Sequence, residues 1–147
     1  KQHHLTIHDI QEVIGTMDPL DGAGDFLDGL RERTQVILLS DTFEEFAKPL
    51  MKKLGWPTLF CNSLVIDQSG TIQDFRLRQA EGKKKAVMAM QSAGFTVHAA
   101  GDSYNDLGMI QQAEKGAFFH PPARILTEYP QYAVFYDYPA FAGFLLG

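Results

Sequence analysis

His98-Ala-Ala-Gly-Asp-Ser-Tyr-Asn-Asp-Leu-Gly-Met-Ile110 is the stretch on which the reading of this chain turns. A short apolar run ends at Gly101, carboxylates follow at Asp102 and Asp106, and apolar residues then resume. That order fits a strand, a tight turn and the start of a helix. Glycine at position 101 lets the backbone turn sharply, which places Asp102 at the strand tip and facing a cleft. A hard cation such as Mg²⁺ takes oxygen ligands, commonly one or two carboxylates completed by waters and a substrate phosphate. Asp102 is therefore the candidate metal ligand. Asp106 either ligates as well or orients the loop from behind, and Asn105 offers an amide to a phosphate oxygen or substrate. Helix capping is the competing account, because Asp, Ser and Asn all favour that position.

Two more clusters lie outward from this stretch. Gln35-Val-Ile-Leu-Leu-Ser40 reads as a fully buried strand, and it runs straight into Asp41 and Thr42. A hydroxyl and backbone N–H groups at a helix entry make an anion cradle of Ser40-Asp41-Thr42, with an N-cap as the alternative. Lys83, the first of three consecutive lysines, opens a helix and supplies a point charge suited to a phosphoryl group. A solvated helix start accounts for its two neighbours. Both strand-tip clusters are expected at the carboxyl edge of a parallel sheet, where such sheets bind ligands.

Periodicity and punctuation place the remaining elements. Helices are expected over Leu5–Met17, Ala23–Arg33, Phe43–Leu54, Gly82–Ala93, Asn105–Ala113, Ala123–Glu128 and Pro139–Leu146. Strands are expected over Thr96–Ala100, Ala117–Phe119 and Ala133–Phe135, with a hairpin of Leu64–Ile66 and Thr71–Leu77 around Asp67-Gln-Ser-Gly70. Repeated alternation of strand and helix indicates an α/β fold, a parallel sheet with helices on both faces.

Composition narrows the function classes. The 147 residues suffice for one α/β domain. A net charge of −5 argues against a nucleic-acid or anionic-membrane partner, and the single lysine cluster is too short to reverse that. Cys61 is the only cysteine, so an internal disulfide is excluded and a small buried apolar residue is the expected role. No apolar run is long enough to span a membrane, and the first residues lack the apolar core of a signal peptide, so the cytoplasm is the expected location. His3, His4, His98 and the tyrosines from Tyr129 to Tyr138 are given no role beyond packing or surface.

The ordered set is more specific than any of its parts. An apolar strand ending Ser40-Asp41-Thr42, a lysine opening a helix, and a strand ending Gly101-Asp-Ser-Tyr-Asn-Asp106 resemble the second, third and fourth motifs of the haloacid dehalogenase superfamily of phosphohydrolases. Ile10-Gln-Glu-Val-Ile-Gly-Thr-Met17 and Arg31-Glu-Arg-Thr-Gln-Val-Ile-Leu-Leu-Ser-Asp-Thr-Phe-Glu-Glu-Phe46 look like the phosphoserine phosphatase branch, and most like its bacterial members that double as phosphoserine:homoserine phosphotransferases. The resemblance extends from about Asp9 to the C-terminal helix. It implies a Rossmann-like core and a small phosphorylated metabolite such as phosphoserine as substrate. It also implies Mg²⁺ as cofactor, with Asp102 as ligand and Asp106 supporting the metal site. Ser40, helped by the Asp41 amide and Thr42, would bind the phosphoryl group; Lys83 would neutralise it and hold the nucleophile's carboxylate; Asn105 would contact phosphate or substrate.

One expected part is missing. The family's first motif is an apolar strand ending D-x-D/E-G, whose first aspartate attacks phosphorus and whose second acid moves protons. Nothing before Ser40 fits it: Asp18-Pro-Leu-Asp21-Gly22 has no preceding strand, and Leu64-Val-Ile-Asp67 lies after the second motif and suits a turn. The chain is thus expected to begin inside the cap, with residues 1–17 a remnant of that helical cap and 18–147 a core lacking its central first strand. Unpaired inner edges would cost about 1–3 kcal/mol per buried unsatisfied group. A fragment of a longer product, direct pairing of the flanking strands, and a homodimer or strand complementation are the alternatives. The expected activity is a phosphomonoester hydrolase or phosphotransferase, impaired or inactive as written; the other reading is a non-catalytic phosphate-binding or self-associating module.

Overall fold

The computed structural model describes residues 5–147. The chain divides into two compact units, Lys1–Ala80 and Glu81–Gly147. Lys1 to His4, part of the expected cap remnant, lie outside the described residues together with the His3-His4 pair.

The first unit opens with helix α1 (Ile7–Gly15), started by a capping box in which the Thr6 and Asp9 side chains each bond the other's backbone N–H. Long-range bonds fix this helix within its unit. The Ile7 N–H donates to the Gly70 carbonyl (2.8 Å) and the Gln11 amide to the Glu45 carbonyl (2.8 Å). Lys53 closes the C-terminal end by donating to the carbonyls of Gly15 and Met17. Helix α2 (Ala23–Arg31) follows Gly22, whose φ of 81° suits glycine, and buries Leu27 and Leu30.

Strand β1 (Ile37–Phe43), helix α3 (Glu44–Lys53) and strand β2 (Thr58–Ile66) form a β-α-β unit, and β1 pairs with β2 in parallel. Strand β3 (Ile72–Arg76) returns antiparallel to β2, giving the order β1-β2-β3. Its turn is organised by Asp67, whose carboxylate accepts from the N–H groups of Ser69 and Thr71, the Ser69 hydroxyl and the Gln73 amide. Two expectations need correction. The first half of β2, Thr58–Asn62, has no counterpart in the pattern-based reading, because Thr58 and Asn62 bound its apolar run to three residues. The run Ile37–Leu39 is half-buried rather than fully buried; β2 is its one hydrogen-bonded neighbour among the described residues. Cys61 is likewise half-buried on β2, and burial raises its thiol pKa.

The second unit contains helix α4 (Gly82–Ser92), strand β4 (His98–Gly101), helix α5 (Leu107–Gln112), strand β5 (Lys115–Phe119), helix α6 (Ala123–Glu128), strand β6 (Ala133–Phe135) and helix α7 (Tyr138–Leu146). Its strands are all parallel, in the order β4-β5-β6. Phe118, Ile110 and Ile125 are each 1% exposed, which locates the core where α5 and α6 bury their apolar faces with β5. Gly116 permits the close approach of α5 and β5, since a Cβ there would fall 2.5 Å from the Ile110 carbonyl oxygen. Phe119 stacks on Tyr138 and Phe141, and Phe118 meets Tyr132 edge-on, so these C-terminal aromatic residues pack rather than form an open box. His98 is partly buried, with Nδ1 2.6 Å from the Leu145 carbonyl oxygen at the end of α7.

The architecture is α/β, built of parallel ladders with helical crossovers and one hairpin. No helix among the described residues is long and apolar enough to cross a membrane.

Candidate active site

In the second unit the loop after β4 is built around one buried carboxylate. Lys83 stands in the first turn of α4, and Asp106 ends a 3-10 turn (Tyr104–Asp106). The Lys83 Nζ donates to Asp106 Oδ1 at 2.7 Å, with side chains 13% and 7% exposed. Asp106 Oδ2 accepts from the Asp102 N–H (2.9 Å), the Ser103 N–H (3.1 Å) and the Ser103 hydroxyl (3.1 Å). Burial pushes the Asp106 carboxyl pKa up, but the Lys83 bond and charge and these two backbone donors outweigh it, so the net shift is downward. Asp106 is thus an ionised clamp that shapes the loop. Nothing in these bonds leaves it facing a ligand.

Gly101 is needed for a different reason from the one the sequence suggests. Its φ is not in the left-handed region. A Cβ there would instead overlap the Asp106 side chain, so the glycine makes room for the buried carboxylate. The capping account holds for Ser103 and Asp106, which form a reciprocal capping box. It does not hold for Asp102, which is exposed and whose carboxylate has no hydrogen bond or ion pair among the described residues. Asn105 is exposed and its side-chain oxygen accepts from the Ser103 hydroxyl. Tyr104 reaches outward from the loop to donate to Glu128 (2.8 Å), which also holds Arg124 (2.6 Å).

A divalent cation has an incomplete set of ligands here. No group of three or more His, Cys, Asp or Glu side chains among the described residues is placed to hold a metal ion. Asp106 is committed to Lys83 and the loop amides, which leaves Asp102 as the single available carboxylate of this loop. One carboxylate suits the oxygen preference of Mg²⁺ but does not make a closed site.

In the first unit, Ser40, Asp41 and Thr42 occupy the irregular end of β1. Leu39 pairs with Phe60 and Phe43 with Asn62, so three residues of β1 stand opposite Cys61 alone. The Thr42 N–H folds back onto the Ser40 hydroxyl oxygen (3.2 Å). Neither Ser40, Asp41 nor Thr42 is the N-cap of α3; Phe43 holds that position without a side-chain bond, because β1 runs on past the apolar stretch. The expected cradle at a helix entry is therefore a strand-end bulge. Asn62, to which the pattern assigned nothing, donates to the Asp41 carbonyl (3.0 Å) and accepts from the Arg78 N–H (3.0 Å). A lone amide within Phe60-Cys-Asn-Ser-Leu64 was the available signal.

The structure thus brings Lys83, Asp106 and the backbone of Asp102 together in one unit, and Ser40, Asp41 and Thr42 together in the other. Comparison with known proteins adds to this geometry. A family model described as haloacid dehalogenase-like hydrolase matches residues 2–114. Phosphoserine phosphatase ThrH of Pseudomonas aeruginosa is 49% identical over 137 residues, covering 93% of this chain and 67% of that protein. A phosphoserine phosphatase of Pseudomonas syringae pv. tomato is 47% identical over 131 residues, covering 89% of this chain and 55% of that protein, so the chain spans little more than half of this relative. Among solved structures, a phosphoserine phosphatase from T. onnurineus superposes with a TM-score of 0.74 at 22% identity, over 98% of this chain and 67% of that one. A substrate-bound phosphoserine phosphatase complex gives 0.74 at 23% identity, over 89% and 65%.

Proposed function

Because the chain belongs to the haloacid dehalogenase-like hydrolases, in their phosphoserine-phosphatase-like lineage, we propose that it binds a small phosphomonoester such as phosphoserine in the cytoplasm and turns it over only when an aspartate nucleophile is supplied. Ser40, Asp41 and Thr42 contact the phosphoryl group, Asn105 contacts phosphate or substrate, and Lys83 contributes positive charge. Phosphoryl transfer depends mainly on positioning and charge neutralisation, which these residue types provide. Asp106 holds Lys83 and the loop in place. Asp102 contributes one oxygen to Mg²⁺, which would offset phosphate charge when bound; the rest of that ligand set is not formed by the described residues.

The observation that carries this reading is the construction beneath Asp102. A buried lysine–carboxylate pair, two loop amides and a glycine with no room for a side chain hold one exposed carboxylate beyond a parallel strand. No D-x-D-G or D-x-E-G sequence occurs among the 147 residues, which supports the reading that turnover needs a supplied aspartate. The test is incubation of the purified chain with phosphoserine and Mg²⁺, alone and with a peptide carrying an apolar strand that ends in D-x-D-G. The expected outcome is negligible phosphate release alone, release with the peptide, and loss of that release in Asp102→Asn. Turnover by the chain alone that Asp102→Asn leaves intact would refute the assignment.

A second reading, self-association through a strand edge, is favoured by the ladders themselves. Among the described residues β1 pairs only with β2, and β4 only with β5. Sedimentation of the chain as a dimer across micromolar concentrations would support it; a monomer throughout would remove it.

A further inference from the structure

We propose that Asn62 is a positioning residue that holds the Ser40-Asp41-Thr42 bulge in a ligand-ready shape by tying it to the exit of β3. The bulge leaves its ladder where β1 and β2 fall out of register, and backbone released from a ladder needs another partner to keep one conformation. Asn62 supplies that partner at the point where register is regained, opposite Phe43. Its amide donates to the carbonyl of Asp41, the middle residue of the bulge, while its side-chain oxygen accepts from the Arg78 backbone N–H. An amide side chain carries a donor and an acceptor side by side, so both backbone groups are met at once.

The same arrangement sets a cation. Phe60 and Asn62 are two residues apart on β2 and so share a face. The Arg78 guanidinium lies over the Phe60 ring, 5.2 Å from its centroid. Asn62 therefore fixes the bulge and the backbone of an arginine together, one providing short polar groups and the other a positive charge. The consequence for ligands rests on the proposed phosphate role of Ser40, Asp41 and Thr42; the hold on the bulge does not.

Asn62→Asp separates the two bonds, because a carboxylate still accepts from the Arg78 N–H but has no donor for the Asp41 carbonyl and repels it. Asn62→Ala removes both, and Ser63→Ala is the control on the same strand. Backbone amide NMR of the full chain is recorded without ligand and during titration with inorganic phosphate. In Asn62→Asp, hydrogen exchange at Asp41 and Thr42 should quicken by roughly fivefold or more and phosphate should bind roughly five- to tenfold more weakly, the range expected for one lost hydrogen bond. The thermal midpoint of the chain should barely move. Unchanged exchange at Asp41 and Thr42 overturns the proposal whatever phosphate does. Quickened exchange with unaltered phosphate affinity also overturns it, leaving Asn62 a merely structural residue. Failure of the unsubstituted chain to bind phosphate sinks the phosphate reading instead, and the exchange measurement then decides the hold on its own.

Discussion

Lys83 and Asp106 form a nearly buried ion pair, Nζ to Oδ1 2.7 Å, and the same carboxylate anchors the amides of Asp102 and Ser103. The two partners are therefore unequal. Lys83→Met leaves a carboxylate that still accepts from two N–H groups and a hydroxyl, whereas Asp106→Leu removes the carboxylate from Lys83 and from two loop amides at once. Breaking a buried pair from one side costs about 3–5 kcal/mol, and Asp106→Leu is expected at the upper end of that range, Lys83→Met below it. The double variant should cost less than the two singles combined, with a coupling of about 1–3 kcal/mol. Urea unfolding of the four proteins measures this. Singles that add to within about 0.5 kcal/mol would mean that the pair is not coupled.

Acid should dismantle this clamp in a defined direction. The folded Asp106 carboxyl lies below its ordinary value of 3.8, and so does that of Asp67, at about 2. Groups depressed in the fold lend stability that is complete above the unfolded pKa and disappears as pH falls through the folded one. Unfolding free energy should hold level above roughly pH 5 and decline between there and roughly pH 2. The decline should be shallower in Asp106→Asn, which has no carboxyl to titrate at that position. NMR titration of the Asp67 carboxyl should give a midpoint near 2, and an ordinary midpoint would show that the turn bonds of Ser69 and Thr71 do not persist in solution.

What the sequence made legible was mostly local. Helix α6 and strand β6 have the expected bounds, Ala123–Glu128 and Ala133–Phe135, because prolines precede the helix and the apolar residues are contiguous. Asp102, Asp106 and Gly101 fall within six residues, so their loop could be read as one object, although the reason for the glycine could not. The bond between Asn62 and Asp41 spans 21 residues and depends on a break in register, which no periodicity encodes. Strand Thr58–Asn62 escaped for a related reason: its identity comes from parallel pairing with β1, a non-local contact, and its polar residues mask the pattern. Lys83 was singled out by its place in the motif order, but its closeness to Asp106 is a product of tertiary packing.

Two glycines offer a contrast that tests whether space in the Asp106 loop is as tight as described. Gly101→Ala drives a methyl into the Asp106 side chain, where no flexible neighbour can give way, since that carboxylate is fixed by Lys83 and two amides. Overpacking of this kind costs about 1–3 kcal/mol, with displacement of the ion pair added to it. Gly143 lies within α7, and a Cβ there would meet nothing within 4 Å. Gly143→Ala should therefore stabilise the chain by about 0.5–1 kcal/mol, the helix-interior difference between the two residues. Opposite shifts in thermal midpoint are expected, downward for position 101 and upward for position 143. If Gly101→Ala unfolds at the same temperature as the unsubstituted chain, the buried carboxylate does not occupy the place given to it beneath the loop.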